Sequence, residues 1–101
     1  MLEIAARLRA EGTDWANGAL KLMQSVSPSA CFWSLEALRR GAKLDLAGCL
    51  LMELRMTRTI AMHPDFWEGV RSVLVDKDRN PNWSPKKFED VDTAAIARIF
   101  A

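Results

Sequence analysis

Apolar residues recur three and four positions apart along most of this chain, the spacing that places them on one face of a helix. Leu2 to Ala10 carries Ile4 and Leu8 among charged neighbours, and Gly12 follows where a left-handed stop is wanted. Thr13 or Asp14 can cap a second helix, reaching about Ser25, in which Trp15, Ala19, Leu22, Met23 and Val26 form the stripe. Ser27 followed by Pro28 opens a third, with Cys31, Phe32, Leu35 and Leu38 on one face, Arg39 and Arg40 at the negative end of its dipole, and Gly41 as its exit.

Leu44 to Met62 reads as the longest helix, its inward face drawn from Ala47, Leu50, Leu51, Leu54 and Ala61. Pro64 forbids its continuation. Asp65 with Glu68 three residues on has the form of a capping box, opening a helix with Phe66, Trp67, Val70, Val73 and Leu74 on its stripe; β-branched Val73 and Val75 leave strand as the minority reading. Prolines, asparagines and mixed charge make residues 76–91 an irregular loop, which Trp83 anchors, and Asp92 caps a last helix with Ile96, Ile99 and Phe100. The expected fold is all-α, about six helices in a single helical domain over residues 1–101.

Composition adds little to that picture but excludes several functions. Fourteen basic against thirteen acidic residues leave a net charge of +1, so no global field recruits nucleic acid or an anionic membrane. The apolar run Leu46 to Met52 is far short of the roughly 20 residues that span a bilayer. Cys31 and Cys49 lie eighteen apart without a C-x-x-C pair, and His63 is the one imidazole; these residues point to free thiols in a reducing compartment, not to a metal site.

No catalytic constellation is visible. His63, just before Pro64, is explained by a hydrogen bond to a nearby carbonyl, and Glu68 by the capping box. Gly69 inside a first turn costs about 1 kcal/mol relative to Ala, which implies close approach by another group, expected from a core outside this chain. Lys77 and Arg79 are cations beside a turn, available to a phosphorylated ligand. The four tryptophans sit at helix or loop-anchor positions suited to packing.

The most specific stretch is the ordered set Asp65-Phe66, Glu68-Gly69-Val70-Arg71, Asp76-Lys77-Asp78, Pro81 and Trp83, preceded by Ser27-Pro28-Ser29, Arg39-Arg40-Gly41 and Met52-Glu53-Leu54-Arg55. In this the chain resembles the C-terminal region of the 3-hydroxyisobutyryl-CoA hydrolase family, a branch of the enoyl-CoA hydratase/isomerase (crotonase) superfamily. The resemblance implies a helical C-terminal portion without the ββα spiral core, which carries the oxyanion amides and acidic catalytic residues for acyl-CoA thioester hydrolysis in valine breakdown.

It further implies that the chain covers the CoA site and makes subunit contacts, is inactive without a catalytic core on another chain or missing segment, and resides in the mitochondrion, otherwise the cytoplasm. No catalytic residue carries over onto this sequence. Lys77 and Arg79 become candidate contacts to CoA, the thioester being substrate of the whole protein and no cofactor being held by this chain alone. The alternative expectation is a structural module derived from such an enzyme, for example a mitochondrial ribosomal small-subunit component, the one setting in which nucleic acid would be a neighbour.

Overall fold

Local chemistry sets each helix boundary. In the computed structural model, which describes all of residues 1–101, α1 (Leu2–Glu11) ends at Gly12 with φ 65°. That left-handed value suits a residue without a Cβ. Thr13 caps α2 (Asp14–Ser25) by accepting from the Ala16 N–H, and Ser27 caps α3 (Pro28–Gly41) by accepting from Ala30. Asp45 caps α4 (Leu46–Ile60) through Gly48, and Asp92 caps α6 (Thr93–Ile99) through Ala94 and Ala95. There is no strand, and the fold is all-α.

Two boundaries depart from expectation. Gly41 is not a left-handed exit but the last helical residue of α3, with Ala42 right-handed after it. A Cβ at Gly41 would meet Cys49 Sγ at 3.6 Å, an ordinary contact distance, so neither a left-handed turn nor close packing requires glycine there. α5 (Pro64–Val70) is capped by His63, whose Nδ1 accepts from the Asp65 N–H at 3.0 Å. The imidazole thus accepts from a backbone amide and does not donate to a carbonyl, and Asp65 is not the cap because its carboxylate is engaged elsewhere. Beyond Val70 the helix widens into a π-helical turn, Arg71–Val75, and the loop that follows holds one short 3₁₀ turn, Phe88–Asp90.

The core lies where α3, α4 and α6 meet. Trp33, Met56, Val91, Ile96 and Ile99 are buried there, with Phe32, Met52, Ile60 and Phe100 packed against them. The His63 ring meets Trp33 edge-on at 5.2 Å. α1 and α2 pack together as a hairpin, and the small residues Ala5 and Ala16 are the buried residue of each.

The inward face of α4 is Met52, Met56 and Ile60, not the leucine face the periodicity suggests. Leu46, Leu50 and Leu54 are 76%, 57% and 51% exposed. Leu50 and Met52 point about 200° apart around the helix, so the two stripes are opposite faces. Inversion recurs on α2, where Ala16 is buried while Trp15 and Leu22 are exposed, and on α5 with its π turn, where Asp65 and Ser72 are buried while Phe66, Trp67, Val73 and Leu74 face outward.

The surface is correspondingly large. Only 12 of 101 residues are buried, and the accessible area is 7176 Å². A compact monomer of 11.4 kDa exposes about 5,800 Å², which leaves an excess of about 1,400 Å². The Cα radius of gyration, 14.8 Å, likewise exceeds the roughly 13 Å of a compact domain of this length.

Candidate functional site

The stretch from His63 to Trp83 is organised by three anchors. The first is Asp65, which is 4% exposed. Its carboxylate accepts from the Ser27 hydroxyl and, at 2.8 Å, from the Ser84 N–H, tying α5 to the start of α3 and to the middle of the loop. Ser27 serves twice, since its oxygen also caps α3. A buried carboxylate is stable here because its hydrogen bonds are supplied.

The second anchor is Trp83. Its indole N–H donates to the Ser25 carbonyl at 3.1 Å, and its ring lies over Gly69, where a Cβ would sit 3.5 Å from the ring edge. The neighbour that Gly69 implies is therefore this chain's own tryptophan and not an external core.

The third anchor is Arg71, and the residue pattern alone did not single it out. Its guanidinium donates to both oxygens of Glu68 at 2.6 and 2.8 Å, to Asp76 at 2.8 Å, to Asp78 at 2.7 Å and to the Asn80 carbonyl at 3.3 Å. Glu68 also accepts from the Asn82 N–H, so it ties the loop back to α5 and is not part of a capping box. The Arg71 hydrogen bonds, then the Asn82 amide, hold the Glu68 carboxyl down at about 2. Arg71 lowers Asp78 in the same way, with the Asn80 amide second, and is itself raised, first by Glu68 and then by Asp78 and Asp76. Spacing offered a signal: Glu68 and Arg71 are one helical turn apart, with two aspartates just beyond.

This arrangement sorts charge. In the run Asp76-Lys77-Asp78-Arg79 both carboxylates turn to Arg71, and both cations are exposed without a side-chain partner. Lys77 and Arg79 have φ of 56° and 51°, left-handed values that ordinary residues adopt only when the surroundings impose them. The Arg79 N–H to the Ser72 carbonyl, at 2.9 Å, is one such constraint. Lys77 and Arg79 thus share one pinned loop, and neither lines the larger clefts of the molecule.

Around this loop lies apolar surface. Phe66 and Trp67 pack edge-to-face at 5.4 Å while both remain exposed, and Val73, Leu74, Val75 and Met62 are exposed too. Yet every buried side-chain polar atom has a hydrogen-bond partner. The interior is satisfied and the apolar surplus is on the outside.

A helical chain with a satisfied interior and outward apolar faces is best understood beside its relatives. A family profile described as "Enoyl-CoA hydratase/isomerase" matches residues 1–100, and the chain belongs to that family. Within it, the similarity is to 3-hydroxyisobutyryl-CoA hydrolases. The chain is 44% identical to the mitochondrial 3-hydroxyisobutyryl-CoA hydrolase of Dictyostelium discoideum over 89% of its own length and 24% of the relative's. It is 37% identical to the mitochondrial enzyme of that name from Mus musculus, over 97% and 26%. With the Gallus gallus enzyme the identity is 35%, over 99% and 26%. The chain therefore spans about a quarter of the length of the curated relatives it matches.

Proposed function

We propose that this chain is the C-terminal helical part of a 3-hydroxyisobutyryl-CoA hydrolase-like protein, working against a crotonase-type core on the same polypeptide or on a partner. The observation that carries this reading is the outward apolar surface of α2, α4 and α5, where Trp15 and Leu22, Leu50 and Leu54, and Phe66 and Trp67 are exposed while Ala16, Met56 and Asp65 are the buried residues. An excess of about 1,400 Å² exceeds the roughly 800 Å² per partner of a standard interface, so a substantial contact is accommodated.

In this role the chain performs no bond cleavage. The core supplies the oxyanion amides and acidic residues that stabilise and resolve the thioester addition. The helical part covers the CoA site, makes subunit contacts and presents Lys77 and Arg79 toward the CoA phosphates, where exposed cations with no internal partner suit a phosphate. The names of its relatives support a mitochondrial compartment, and valine breakdown is the pathway that the family resemblance implies.

The test has two parts. The chain alone, given 3-hydroxyisobutyryl-CoA, shows no thioester hydrolysis above buffer; turnover by the isolated chain overturns the proposal. Purified from its source cells under mild conditions, the polypeptide carrying these residues contains or retains a crotonase-type core identified by mass spectrometry. Recovery only with ribosomal proteins and RNA replaces this reading with the scaffolding one.

A further inference from the structure

Where the last turn of α3 faces the first turns of α4 and Phe100, the chain forms a cleft of about 420 Å³. That volume falls in the range of small-molecule sites, roughly 300–1,000 Å³. Its floor is apolar, made by Leu51, Met52 and the Phe100 ring, and its rim carries Arg40, Lys43 and Arg55 with no carboxylate among the lining residues.

The three cations are available. Lys43 and Arg55 take part in no side-chain ion pair or hydrogen bond. Arg40 engages Glu36 through Nε alone, at 2.6 Å, which leaves both terminal nitrogens of its fork free. Its guanidinium lies 4.9 Å from the Phe100 ring centroid, so the fork is held against the apolar floor.

Neither half of this cleft is satisfied by a simple solute. A bare oxyanion pairs with the cations but leaves Leu51 and Met52 in water. A neutral hydrocarbon covers the floor but takes water from the cations without replacing it. We infer that the cleft binds an amphiphilic anion, its carboxylate or phosphate head held by Arg40, Lys43 and Arg55 and its aliphatic chain laid over Leu51, Met52 and Phe100. Arg40 can grip either head through two parallel N–H donors, and Lys43 and Arg55, lining the same cleft, add the positive charge that neutralises it.

The inference is tested on the chain as it stands, by calorimetric titration and methyl NMR with decanoate, decyl phosphate, decanol, acetate and inorganic phosphate, each below its aggregation limit. Saturable binding is expected for the two decyl anions, with shifts centred on the Leu51 and Met52 methyls, and none for acetate or inorganic phosphate. Decanol should bind about tenfold more weakly or worse, and the double substitution Lys43→Gln, Arg55→Gln should weaken decanoate by about the same factor without altering decanol. The tighter of the two anions identifies the head group. Equal binding of decanol and decanoate, an unchanged double variant, or shifts spread over Leu46, Leu50 and Leu54 would each overturn the assignment. Both substituted side chains are solvent-exposed, and far-UV circular dichroism verifies that the variant keeps its helices.

Discussion

Alanine at Met56 and alanine at Leu54 are nearly the same change to the same helix, and the structure makes their costs differ widely. Both replace a good helix former by the best one, so intrinsic propensity changes by a few tenths of a kcal/mol at most in either case. Met56 is 9% exposed in the centre of the core, and its truncation removes buried apolar surface and leaves a cavity beside Trp33 and Ile96. Such sites lose about 2–5 kcal/mol, and a core this small and shallow belongs near the lower end.

Leu54 is 51% exposed and Leu50 57%, so about half of each side chain is already wet and no cavity can form. Burying a leucine completely is worth roughly 1.5–3 kcal/mol, which limits the loss at either site to about 1 kcal/mol. Urea unfolding of the isolated chain, followed by circular dichroism at 222 nm, measures both. For a domain of this length each kcal/mol moves the melting temperature by about 4–8 °C, so Met56→Ala falls by roughly 8 °C or more and Leu54→Ala by less than about 8 °C. A Leu50→Ala or Leu54→Ala chain as destabilised as Met56→Ala would refute the inverted packing of α4 and, with it, the case for a covered leucine face.

Other expectations follow from the anchors around Arg71. Gly69→Ala fits beneath Trp83 at ordinary contact distance and adds helix propensity, so stability should hold or rise, whereas Gly69→Leu should displace the indole and shift tryptophan emission to the red. Asp65→Ala leaves the Ser27 hydroxyl and the Ser84 amide without an acceptor, a loss on the order of 2 kcal/mol or more by chemical denaturation; Asp65→Asn, keeping one acceptor oxygen, should lose less. Because Glu68 is held at about 2 in the folded chain against about 4.5 when free, the folded state binds fewer protons than the unfolded one between those values. Its stabilising effect is therefore complete above about pH 4.5 and is lost as the pH falls through about 2; Arg71→Gln should flatten that part of the acid-unfolding curve, and an identical curve would sink the argument. Burial pushes the Cys31 thiol up, so its alkylation near neutral pH should be slow in the folded chain and fast in urea.

Features set by neighbours in sequence were legible, and features set by distant ones were not. Thr13, Ser27 and Asp92 cap their helices as their positions suggest, and Gly12 takes the left-handed stop, because each bond spans two to four residues. Asp65 has the spacing of a cap, but its carboxylate binds Ser27, 38 residues away, and Ser84, 19 away, and no local rule sees either partner. Helical periodicity located α4 yet misjudged its buried side. The helix is apolar on two opposite faces, and a pattern of hydrophobic positions records burial against any partner, inside the chain or outside it. Lys77 and Arg79 were placed on a loop and are on one; the Arg71 centre that aims them outward required five oxygens from separated positions to converge.

The tie from the Trp83 indole to Ser25 spans 58 residues and the Ser27–Asp65 bond spans 38, and together they fasten the end of α2 and the start of α3 to α5 and its loop. Bonds that close such long loops must wait for the intervening chain to be ordered, whereas the α1–α2 hairpin closes over a few residues. The hairpin should therefore be able to open and reclose while the α3–α4–α6 core persists, with α1 amides exchanging with solvent faster than those around Met56. Trp83 is the latch on that motion, and a chain lacking it would breathe at its N-terminal end without unfolding at its centre.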